Sequence, residues 1–118
     1  MRMAILCLLA SLAAAAGADV TGKWKASFDT QIGVQNYTYD LKADGAKLTG
    51  KAIQQDGSSE IAEGKIDGDT IKFVENFEYQ GMKIRIEYIG KFDGGDTIQF
   101  SRKVAEFAVE DFTARRAK

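Results

Sequence analysis

At 118 residues, with no histidine, no proline and a single cysteine, the chain lacks most of the groups on which enzymes and metal centres are built. With Cys7 inside an apolar leader, as argued next, thiolate and imidazole metal sites, histidine-ligated haem and the usual nucleophile–base pairs are excluded. The near balance of 16 basic and 17 acidic residues argues against a nucleic-acid partner, whose binding rests on neutralised phosphates, and against an anionic membrane surface.

The chain opens with Met1, Arg2 and Met3, continues with an apolar run from Ala4 to Ala13, and reaches the small residues Ala16, Gly17 and Ala18. This is the pattern of a secretory signal peptide over residues 1–18, with cleavage before Asp19. The run is too short and too rich in alanine for a membrane-spanning helix, which needs about 20 apolar residues. Cys7 follows Leu6 rather than the small residue that a lipid-attachment signal places there. Residues 19–118 are therefore expected to form one domain without disulfides, periplasmic or secreted, in which burial alone stabilises the fold.

From residue 21 onward apolar and polar residues alternate, and Asp-Gly or Gln-Gly pairs punctuate them at short intervals. Strands are expected near 21–29, 34–42, 47–54, 59–66, 70–79, 82–92, 97–103 and 106–115. That count predicts an all-β fold, an eight-stranded antiparallel up-and-down barrel whose closure removes exposed edges. Three turns, at Asp44-Gly45, Asp67-Gly68 and Asp93-Gly94-Gly95, are flanked by the apolar pairs Leu41 and Leu48, Ile66 and Ile71, and Phe92 and Ile98. Two residues outward from each pair an aromatic is expected to face a glycine: Tyr39 with Gly50, Phe73 with Gly64, and Phe100 with Gly90. Glycines beneath rings bend strands around a curved interior.

A hairpin from Ile71 to Phe92 about Gln80-Gly81 pairs Tyr79 with Met82, Phe77 with Ile84, Glu75 with Ile86 and Phe73 with Tyr88 on one face. Its other face sets Glu78 opposite Lys83 and Asn76 opposite Arg85. In the last segment Phe107 and Val109 share one parity and Phe112 and Ala114 the other, so a bulge near Glu110 and Asp111 is expected.

Parity turns Trp24, Phe28, Tyr37, Tyr39, Phe73, Phe77, Tyr88, Phe92 and Phe100 inward. Core packing accounts for these rings, but buried tyrosines need polar partners, which a small amphipathic ligand would supply. Glu75 falls on the dry face between Phe73 and Phe77, where a lone charge is expensive. Arg102 shares the inward parity of Ile98 and Phe100. Either the two meet inside or receive a polar ligand, or both sit at a wet barrel mouth, or a bulge turns Glu75 outward. The ligand-binding candidates are Tyr37, Tyr39, Phe73, Glu75, Tyr88 and Arg102. No catalytic residue, metal ligand or cofactor is expected, because Asp before Gly is turn chemistry and no calcium-loop spacing is present.

Gly22, Lys23 and Trp24 open the first strand, and Phe112, Thr113, Ala114, Arg115 and Arg116 close the last. In these residues the chain resembles the calycin superfamily of lipocalins, fatty-acid-binding proteins and avidins. It is also similar, over 19–118, to short bacterial exported domains with the same glycine-x-tryptophan opening and threonine-alanine-arginine ending. The resemblance implies a barrel closed by Gly22, Trp24 and an arginine packed across the indole, Arg115 or Arg116. The chain departs from the pattern in its shortness, in the absence of cysteines after the leader and in the absence of a biotin-binding pattern, so no biotin site carries over. The function implied is a non-enzymatic binding module holding a small apolar or amphipathic ligand. The alternative is a filled barrel that meets a protein or glycan through its surface, as inhibitor-like barrels do. A monomer without membrane insertion is expected, since the basic ending replaces the aromatic one that outer-membrane barrels favour.

Overall fold

The computed structural model describes residues 19–55, 57–106 and 108–117. The expected signal peptide with Cys7 lies outside the described residues, as do Asp56 and Phe107. The alternating pattern folds as β1 (Gly22–Thr30), β2 (Gly33–Asp44), β3 (Lys47–Gln54), β4 (Gly57–Asp67), β5 (Thr70–Tyr79), β6 (Met82–Phe92), β7 (Thr97–Val104) and β8 (Ala108–Arg116). Each strand pairs antiparallel with the next and β8 returns to β1, giving a closed eight-stranded barrel in sequence order. Because successive side chains point to opposite faces, the apolar set is buried inside. Lys23, Lys25, Asp40, Lys42, Lys72, Glu87 and Lys91 stand exposed on the outer wall.

The β5–β6 hairpin follows the expected register from Tyr79 opposite Met82 to Ile71 opposite Gly90. Its two turn residues both take positive φ, Gln80 at 51° and Gly81 at 81°, as a primed turn matched to the strand twist requires. Gly90 faces Phe100 as expected, and a Cβ on it would stand 2.5 Å from the Phe100 ring. The other two aromatic–glycine pairings differ. In β2–β3 the pair nearest the turn is Asp44 with Lys47, so Gly45 and Ala46 make the turn, Gly50 faces Leu41 and Tyr39 faces Ala52. The reason is local, since Gly45 supplies the left-handed φ of 63° at the first central position of the turn. In β4 the register with β5 shifts between Ala62 and Lys65. Glu63, at φ 54°, and Gly64 lie within this bulge, and a side chain on Gly64 would collide with the Leu48 carbonyl.

The bulge expected in β8 is absent. The β7–β8 ladder runs without a break from Thr97 with Arg115 to Val104 with Ala108. Val109 simply points outward, 63% exposed, which leaves Glu110 pointing in.

One barrel end carries the β2–β3, β4–β5 and β6–β7 turns and is closed by Trp24, which is wholly buried. The indole Nε1 donates to the Val20 carbonyl at 2.9 Å, and Phe92 meets the ring edge-on at 6.0 Å. The guanidinium across the indole is that of Arg116, 4.4 Å from the ring. Arg115 has the opposite parity and lies exposed on the outer wall. Gly22 leaves the space Arg116 uses, for a Cβ there would stand 3.2 Å from Nη1 of Arg116. Among the described residues, backbone pairing between β1 and β8 is confined to this end, at Trp24 with Arg116 and Lys25 with Arg115. Farther along the seam the stacked rings of Phe28 and Phe112, 4.2 Å apart, take over from hydrogen bonds.

Candidate functional site

Above the closed end, Tyr39, Phe73, Tyr88, Phe100 and Phe112 fill the barrel with ring-on-ring contacts, among them Phe73 stacked on Tyr88 at 4.4 Å. The next layer is polar. Register brings Glu75 of β5, Tyr88 of β6, Arg102 of β7 and Glu110 of β8 round the wall, since Tyr88 faces Arg102 and Arg102 faces Glu110. Tyr37 of β2 completes the ring. Glu75 is wholly buried and Arg102 is 4% exposed.

Arginine only donates hydrogen bonds, and this fixes the direction of the others. Arg102 Nε donates to the Tyr88 hydroxyl at 2.8 Å and Nη2 to the Tyr37 hydroxyl at 3.1 Å. Each hydroxyl then donates a hydrogen bond to Glu75, Tyr88 to Oε1 at 2.6 Å and Tyr37 to Oε2 at 2.9 Å. Tyr39 reaches the Tyr88 hydroxyl at 3.0 Å. Arg102 Nη1 bonds Glu110 Oε1, and its guanidinium also lies 5.0 Å from the Phe28 ring. No buried side-chain nitrogen or oxygen among the described residues lacks a partner, so the layer avoids the penalty of unsatisfied polar groups. Burial, together with the charge of Glu75, raises the hydroxyls of Tyr37, Tyr39 and Tyr88 above the usual tyrosine range. For Arg102 burial pulls the pKa down, but the oxygens of Tyr88, Tyr37 and Glu110 outweigh it and the net shift is upward.

Over this layer, toward the β1–β2, β5–β6 and β7–β8 turns, lies a cavity of about 270 Å³. Its walls include Ile32, Phe77, Ile84, Ile86 and Val104, and its polar floor is Tyr37, Arg102 and Glu110. Comparison of the chain with family models, curated proteins and solved structures found no match. What the site does must therefore be argued from its own geometry.

Of the candidates read from sequence, Tyr37 and Arg102 line the cavity. Tyr39, Phe73, Glu75 and Tyr88 belong to the packed layers beneath, where they hold the floor in place. Glu110 was missed, although it shares the parity of Phe112 and Ala114, because the expected bulge would have turned it away. Ile84 and Ile86 were legible as the hairpin partners of Phe77 and Glu75.

Proposed function

We propose that the protein is a non-enzymatic, exported binding module of the calycin kind, holding one small apolar or amphipathic molecule at the open end of the barrel. The observation that carries this reading is the cavity: about 270 Å³ of apolar-walled space above a rigid polar floor. Concave, mostly apolar spaces with a few fixed polar groups are the usual form of small-molecule sites, and this volume falls just below their usual range of about 300–1,000 Å³, so the ligand it fits is small. A rigid floor favours binding, because its side chains are ordered before the ligand arrives.

The test is native mass spectrometry of the protein recovered gently from an exporting host, beside a variant in which Ile84→Trp fills the cavity. A stoichiometric mass excess on the parent, lost on denaturation and absent from the variant, is the expected result. If parent and variant carry the same mass excess over their own chains, or none, and neither takes up small apolar probes, the reading fails. A filled barrel that meets a protein or glycan through its outer wall would then be favoured.

A further inference from the structure

The charges under the cavity select the kind of head group a ligand carries, an inference that rests on the binding reading above. Both oxygens of Glu75 accept hydrogen bonds from tyrosine hydroxyls that themselves accept from Arg102. An arrangement in which both oxygens accept is that of an ionised carboxylate. Glu110 also accepts from Arg102, at the cavity floor. The three tyrosines of the layer stay protonated and neutral. The cluster thus holds two carboxylates, Glu75 and Glu110, against one guanidinium, a surplus of one negative charge at the floor of a half-open, apolar-walled cavity.

A buried surplus charge is costly unless something pairs it. Glu75 is sealed below, with both oxygens occupied, but Glu110 lines the cavity with a side chain 12% exposed. Among the described residues only Arg102 bonds Glu110, and it does so through Oε1. Oε2 is therefore the acceptor that an incoming head group meets. Arg102, by contrast, already gives three of its five N–H groups to Tyr88, Tyr37 and Glu110, and an anionic head reaching for the others would meet the Glu110 carboxylate beside it.

We propose that the cavity takes a small apolar molecule bearing a protonated amine, seated amine-down against Glu110 with its hydrocarbon part between Ile32, Phe77, Ile84 and Val104. A charge-assisted hydrogen bond to a carboxylate is stronger than a neutral one, so the head group sets the preference among ligands of equal chain length.

The experiment titrates the protein with hexylamine, hexanol and hexanoate, reading affinity by calorimetry and location by the methyl resonances of Ile84, Ile86 and Val104. Hexylamine is expected to bind about ten-fold or more tighter than hexanol, with hexanoate weakest. Glu110→Gln should reduce hexylamine affinity about ten-fold while leaving hexanol nearly unchanged. Hexanol or hexanoate binding as tightly as hexylamine overturns the amine proposal and spares the binding reading, as does hexylamine binding indifferent to Glu110→Gln. If none of the three perturbs the cavity methyls, both fall. The ranking on the unaltered protein decides the matter even where the variant does not fold.

Discussion

Glu75 and Arg102 sit 3.8 Å apart at their nearest charged atoms, each held by the same two tyrosine hydroxyls. Removing Arg102 leaves the buried charge of Glu75 without its counter-ion, a loss that costs about 3–5 kcal/mol, and Arg102→Leu is expected to lower unfolding free energy in urea by about that amount. Glu75→Leu leaves Arg102 paired with Glu110 and strands two tyrosine donors instead, so it should cost less, about 1–3 kcal/mol. The double variant should fall short of the sum by at least about 1 kcal/mol, since the second change removes a group already stranded by the first. The tyrosines carry a pH signature. Their folded-state pKa values are raised, so the folded chain holds these protons more tightly than the unfolded chain does. The associated stability is fully present below the ordinary tyrosine pKa of about 10 and is lost as pH rises above it. Denaturation followed at increasing alkalinity should show that decline, and phenolate absorbance should show three tyrosines ionising together with unfolding. A decline that begins well below pH ~10 would contradict it.

At the level of strands and turns, Gln80 occupies a left-handed conformation that costs a non-glycine residue roughly 1 kcal/mol. Gln80→Asn converts the turn to the favoured Asn-Gly pair and should raise stability by about 0.5–1 kcal/mol, measured as an increase in Tm. The hairpin around this turn was readable in the sequence because most positions facing one another on each of its faces match in polarity, so a slip by one residue would reverse every side chain. The same parity argument put Glu75 and Arg102 on the inward face, and of the arrangements it left open the structure has the two meeting inside. It failed where backbone geometry intervened. Nothing in the side chains of Glu63 and Gly64 announces a bulge, which arises because β4 comes too close to the Leu48 carbonyl for an ordinary residue. In β8 the apolar Val109 suggested a break that its outward position makes unnecessary, and the inward carboxylate of Glu110 was hidden with it. Gly50 and Tyr39 were misaligned for a related reason, the turn pair having moved one residue along.

For the barrel as a whole, neighbouring strands share five to ten residue pairs among the described residues, whereas β1 and β8 share two and the Arg116–Trp24 contact. Every hairpin joins residues close in sequence, but this seam joins the two ends of the domain. Loop-closure entropy makes such distant pairings late events, so the folding transition state is expected to hold the hairpins formed and the seam still open. Contacts absent from the transition state act on the rate of unfolding. Arg116→Leu should accordingly speed unfolding several-fold while leaving the refolding rate nearly unchanged in stopped-flow measurements. A variant that slowed refolding instead would place closure early. The arginine across the tryptophan is then a kinetic latch: it sets how long a closed barrel stays closed.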